Sequence, residues 1–370
     1  MTTSLSPLLK TSVFTVTLLF NQLLFAQVPE HNKYLSVVSS EGRAAGADSV
    51  SFSPKTATDL AAGFSSSGEH GRLLNYLTDL GVPDQQYKYQ SGKKFYYHLA
   101  NVFARLKLYP LAMKCFFKAV RVNGGGMDGL QLSAAGLPPR DGALAVSSKD
   151  DTVISKKMLV VRARRTSKRS KRTSFQQIIS NFNDGKTAVA YALLFHVKQP
   201  APGKRKIFVW VNTGHTFITL IKYNTDSTYA SASFGFYPDK DQLLSATPIA
   251  PTTSATFKDD AGHLWDEVLG KFISRRNFEN ILELTRKFEG MTYNLNQQNC
   301  TDFGLQAASL AGIHITGTSG RWPLGRGNNP AVTGQSILKG KISNEAKTAE
   351  EQLFMDQTVD RQEEGYNFDY

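Results

Sequence analysis

Apolar and polar positions alternate with different periods along the chain. Through "GRLLNYLTDLG" and "KKFYYHLANVFARLKLYPLAMKCFFKAVRV", within residues 71–122, apolar side chains recur three and four apart, which predicts helices that meet near Tyr109 and Pro110. Residues 123–151 are punctuated by Gly and Pro and read as linker. From Phe175 the pattern is globular again: "SFQQIISNF" predicts a short helix, while "AVAYALLFHV", "KIFVWVNTGHTFITLIKY" and "TYASASFGFY" predict strands. In "GHLWDEVLGKFISRRNFENILELTRKFEG" the period becomes helical, with Phe278, Ile281, Leu282 and Phe288 on one face. "NCTDFGLQAASLAGI" predicts another helix, with Phe303, Ala307, Leu310 and Ala311 as its buried stripe, Gly312 as its stop and Cys300 in its first turn. Periodicity is lost after Pro323.

Composition changes this picture in three places. The first 26 residues hold one early lysine, an apolar stretch interrupted at Asn21 and Gln22, and the small residue Ala26, which is the layout of a secretory signal peptide. The apolar run is shorter than the roughly 18 residues of a spanning helix. The expectation is export, to the periplasm or the extracellular space. With only Cys115 and Cys300, the chain is not a disulfide-stapled scaffold, although a single bridge between the two stays open as an alternative. Cys115 is expected to fill core. The formal charge of +12 is local, because nine cations and no acid fall within residues 156–172, and setting those nine aside leaves +3. The run lacks interleaved aromatics, so an anionic surface is its expected partner and nucleic acid is not.

The chemistry centres on Cys300. In the first turn of a helix, unpaired backbone N–H groups and the positive dipole end stabilise a thiolate. Of seven histidines, His215 in "VNTGHTFITL" stands after Gly214 at the mouth of an apolar strand, a setting that His196, His263 and His314 lack. An imidazole beside a thiol makes a thiolate–imidazolium pair and supplies the acid for a leaving group. Asp302 is placed to cap the helix N-terminus. His215, Cys300, Asp302 and His263 include no locally spaced ligand pair, so no metal is expected. The loops "NGGGMDG" and "GRGNNP" do not lie between a strand and a helix, so no nucleotide cofactor is expected either.

"GH" on a strand, "SFGFYP" on the next and "YNLNQQNCTDF" at a helix start together resemble the circularly permuted, NlpC-type branch of the papain-like superfamily, over roughly residues 175–325. Lecithin:retinol acyltransferase-like proteins and bacterial permuted cysteine amidases belong to that branch. The resemblance implies an α+β domain with a small antiparallel sheet packed on the cysteine helix, Cys300 as nucleophile and His215 as base. Relatives place a His, Asn or Gln on the strand after the base. Here that strand offers Ser231 and Ser233, so Ser233 is the third polar candidate and Asn299, next to the nucleophile, a fourth. Tyr96, Leu99, Ala100, Phe103, Ala112, Phe116 and Ala119 also match the spacing of a tetratricopeptide repeat, without a second copy 34 residues away.

The expected organisation is a signal peptide (1–26), flexible leader (27–69), helical hairpin able to recruit a protein partner (70–122), linker with basic run (123–174), papain-like domain (175–325) and polar tail (326–370). The expected activity is that of a secreted cysteine amidase or peptidase acting on peptide or acyl substrates such as peptidoglycan. A thiol acyltransferase and an inactive binding module are the alternatives. Specificity is expected in the loops at 238–275 and after 312.

Overall fold

The computed structural model describes residues 73, 75–76, 92–122, 142–151, 170–209, 212–239, 245–348 and 351–358. The expected signal peptide, the whole of the expected leader, most of the basic run and the last twelve residues of the expected tail lie outside them. No helix among the described residues is long and apolar enough to cross a membrane.

The hairpin comprises α1 (Gly92–Arg105) and α2 (Tyr109–Val122). Next come β1 (Arg172–Thr173), α3 (Phe175–Ser180), β2 (Ala188–Lys198), β3 (His215–Asn224) and β4 (Tyr229–Pro238). They are followed by β5 (Thr252–Thr253), β6 (Ala255–Asp259), β7 (Glu267–Ile273), α4 (Arg275–Glu289) and β8 (Tyr293–Asn294). The last group is α5 (Cys300–Leu310), β9 (Ile313–Ile315), β10 (Ser319–Trp322), β11 (Gly325–Asn328), α6 (Pro330–Leu338), β12 (Ile342–Asn344) and β13 (Phe354–Gln357). The fold is α+β. Its centre is one antiparallel sheet of seven strands in the order β1-β6-β4-β3-β2-β7-β13, larger than the small sheet expected.

Strand geometry sends successive side chains to opposite faces. Ala192, Leu194, Phe217, Ile221, Tyr223 and Phe272 share one buried cluster with Phe95, Leu99, Phe103 and Phe116 of the hairpin. On the other face Leu193, Phe195, Ile218, Leu220 and Leu269 pack with Phe278 and Ile281 of α4 and with Phe303 and Ala307 of α5. The hairpin is therefore one layer of the same core. Six of its seven repeat-like positions are buried. Their cluster includes the sheet, which takes the place of the missing second repeat.

Other boundaries also shift. The stretch 142–151, expected as linker, buries Ala143, Leu144 and Val146 and sends Asp150 inward to Lys114 of α2. "WDEVLGKFI", included in a helical pattern, supplies strand β7, because burial on both faces removes the alternation that marks a half-exposed strand. Residues 206–209 and 212–214, expected as strand, lie outside the sheet. The expected C-terminal tail holds buried helix α6 and strand β13, which closes one edge of the sheet. Arg105 of α1 grips Asp356 of that strand through two bonds of 3.0 Å.

Lys114 and Asp150 are the deepest charges of the hairpin layer, at 0% and 1% side-chain exposure and 3.0 Å apart. Lys114 also donates to the carbonyls of Ala145 and Ser227, at 3.3 Å each, so one ammonium joins three segments. Burial pushes the Asp150 carboxyl up, against the pull of Lys114. Lys114→Ala should cost about 3–5 kcal/mol in urea denaturation, because it strands a buried carboxylate. Lys114→Met combined with Asp150→Leu should recover most of that loss.

Candidate active site

His215 is where the sheet opens. Pairing of β2 with β3 runs to Lys198↔His215, whereas β3 and β4 pair only as far as Ile218↔Phe234, after which β4 continues with β6. Gly214, at φ 76, makes the turn into β3, pressed against the carbonyl of Lys198 where a Cβ would clash. Helix α5 lies over the parting. Its Gly304 allows that approach, since a Cβ there would come within 2.6 Å of Thr216 and 2.8 Å of Phe195.

Cys300 begins this helix, and Asn299 caps it. The Asn299 side-chain oxygen accepts from the amides of Thr301 (2.7 Å) and Asp302 (3.2 Å), while Asp302 accepts from the Asn299 amide at 2.9 Å, completing a capping box. The Asn299 amide group donates to the carbonyls of Leu295 and Asn328 at 2.9 Å each. Asn299 is thus fully occupied in holding the helix start, and its role is to position Cys300. Asp302 caps as expected.

The imidazole of His215 has a carboxylate behind it. Its Nε2 lies 3.1 Å from Asp260 Oδ2, leaving Nδ1 as the ring nitrogen open to the Cys300 thiol. Asp260 follows β6, and its amide is fixed by the carbonyl of Ser233 at 2.9 Å. Its second oxygen accepts from Tyr237 (2.6 Å) and Ser170 (3.1 Å). Gly235 makes room for the pair: a Cβ there would stand 2.5 Å from His215 Nε2 and 2.6 Å from Asp260 Oδ2. The ring of Tyr237 lies 4.1 Å from that of His215, and His263 lies 5.0 Å away on the other flank.

These contacts set the charges. Burial works against the imidazolium of His215, but the charge and hydrogen bond of Asp260, aided by Cys300, outweigh it and raise the pKa to about 9. Burial likewise works against the Cys300 thiolate. The hydrogen bond and charge of His215, the Thr216 amide and the Thr301 hydroxyl reverse it and lower the thiol. Asp260 also ends below its ordinary value, its burial being overcome by His215. His263 is held neutral, pushed down to about 4 by burial and then by the cation on His215. Burial and the Cys300 charge keep Tyr293 protonated beside the sulfur.

Cys300 and His215 are therefore brought together, both only 6% exposed. Ser233 is not part of the pair. It faces Thr219, four residues along β3 from His215, or about 13 Å at the rise of a strand. Its hydroxyl bonds Thr219 at 2.8 Å, in a line that continues to His196. Ser231, opposite Ile221, is farther still. The sequence reading gives no role to Asp260, Tyr237 or Tyr293, and it sets His263 aside both as base and as metal ligand. The one signal for the acid was "KDDAGH", a paired acid directly after a strand. Neither cysteine forms a disulfide: Cys115 lies in the core on the hairpin face, with the sheet between it and α5.

The chain matches no protein-family model, no curated protein and no solved structure.

Asp260→Asn should release His215 toward its ordinary pKa and let the Cys300 thiol rise. Iodoacetamide alkylation at pH 6–7 should then slow by about tenfold or more, one pKa unit being tenfold in thiolate where the thiol is mostly protonated. Two buried histidines govern the acid side. His196 and His263 both have folded pKa values below the ordinary 6.5, by burial first. The unfolded chain binds their protons more readily, so their contribution to stability is whole above about pH 6.5 and is lost as pH falls toward 4, against the opposite contribution of the Glu267 carboxyl, which burial raises to about 9. Melting temperatures measured from pH 7.5 to 4.5 should show that decline, and His263→Phe should flatten it.

Proposed function

We propose that the chain is a cysteine acyl-transfer hydrolase of the permuted papain-like, NlpC-type class, an exported amidase or peptidase acting on peptides such as those of the cell wall. The observation that carries this reading is the buried line Asp260–His215–Cys300, with the sulfur at a capped helix start. Asp260 meets the need for a group to orient the imidazole. It supplies the polar group that the strand after the base lacks.

In this reading the thiolate of Cys300 attacks a substrate carbonyl carbon. The oxyanion that forms is held by the Tyr293 hydroxyl, which burial keeps protonated beside the sulfur. The imidazolium of His215 passes its proton to the departing amine, leaving an acyl thioester on Cys300. Water, deprotonated by His215, then releases the acid and restores the thiol. Asp260 holds the ring and stabilises its cationic form throughout. A non-aqueous acceptor in the second half would make the same intermediate an acyltransferase step.

Incubation with an activated peptide ester should give a covalent acyl adduct on Cys300, seen by intact mass and mapped by proteolysis. Cys300→Ser should fold and give no thioester. His215→Ala should lower amide turnover by about 10²- to 10⁴-fold, the range for removal of a general acid–base group. An unacylated Cys300 that alkylates no faster than an ordinary thiol would refute the assignment.

A further inference from the structure

Among the described residues, three large apolar side chains stand out in solvent: Leu324 (77% exposed), Ile249 (71%) and Met291 (39%). Scattered single residues of this kind need no explanation, but these three surround one segment. Met291 opens the stretch that runs through β8 to Cys300. The loop of Ile249 is bound to that stretch by the Leu295 amide donating to the Pro251 carbonyl at 2.9 Å, and by Thr252↔Asn294. The β10–β11 turn that carries Leu324 closes on the same stretch, with Gly325 and Gly327 against Asn296. Leu324 also sits at φ 68, a left-handed conformation that strains a bulky side chain and suits Gly or Asn. A turn selected for stability alone would not present leucine there.

The charge around them is mainly positive, with exposed Glu289 before Met291 and the Asp239 carboxylate, paired with Arg172, as the nearest acids at the edge. Segments 200–209, 245–254, 290–299 and 316–334 contain no Asp or Glu. Lys204, Arg205 and Lys206 are exposed on the loop that leaves β2 beside the active-site end, and Arg321 and Arg326 are exposed on the hairpin. The loop and the hairpin are joined, since Phe208 packs edge-on against Trp322 at 6.1 Å. Separate apolar side chains, two of them on loops, flanked by more cations than acids, suit insertion among lipid headgroups. A protein partner would call for a contiguous, aromatic-rich patch instead.

We propose that the Cys300 end of the molecule docks on an anionic lipid surface, with Leu324, Ile249 and Met291 entering the headgroup layer and the five cations meeting lipid phosphates. The docking does not require Cys300 to be catalytic, and its test reads no activity.

The full chain should float with phosphatidylglycerol-rich vesicles, less with pure phosphatidylcholine and less at high salt. Because the basic run at 156–172 can also attract anionic lipid, the deciding variant alters only the loops. Leu324→Asn with Ile249→Ser should lower vesicle partitioning by about tenfold or more while melting and Cys300 alkylation stay unchanged. Arg321→Gln with Arg326→Gln should weaken binding to anionic vesicles alone. A parent chain that ignores the vesicles overturns the proposal, as does a loop variant that floats as well as the parent. Retention on polyglutamate resin that is lost with Leu324→Asn and Ile249→Ser would also overturn it, by placing an acidic protein there. A chain that floats with an unreactive Cys300 leaves the docking standing and refutes only the acyl-transfer reading.

Discussion

A strand buried on both faces governs this molecule. All ten residues of β3 are buried, and no sheet of this width can hold such a strand without a layer on each side. Helices α4 and α5 cover one face and the hairpin covers the other, while β13 extends the sheet beyond β7. The hairpin layer brings its own cost, since the ammonium of Lys114 goes inside with it, and Asp150 and two backbone carbonyls compensate.

The candidate site occupies the place where this enclosure is interrupted. Where β3 and β4 part, backbone groups lose their ladder partners, and the Thr216 amide serves the Cys300 sulfur instead. Charges at such depth survive only as a set: Asp260 needs His215, Tyr237 and Ser170, and the Cys300 thiolate needs His215. The hairpin reaches this set through stacked rings. His215 lies parallel to Phe217 at 5.8 Å, Phe217 to His196 at 4.4 Å, and Tyr109 of α2 closes on His196 at 4.7 Å. Cover, sheet and site are thus one packing problem.

The chain itself determined the features that rest on local physics. Helical spacing specified α1, α2 and α5, and Gly312 stopped α5 at φ 74. The "GH" and "NC" pairs located a thiol and an imidazole in favourable settings, because a left-handed turn and a helix cap are written in neighbouring residues. Tertiary structure decided the rest. Asp260 lies 45 residues from His215 and 40 from Cys300, and no local pattern marks an acid whose partner arrives through strand pairing. Ser233 is near His215 in the strand order, yet the register places it four residues away. The hairpin, the 142–151 stretch and the C-terminal strand looked peripheral because each is too short to reveal which apolar surface it covers. A sequence displays the apolar face of each element, whereas the surface that meets that face depends on long-range register and burial, which only the folded chain supplies.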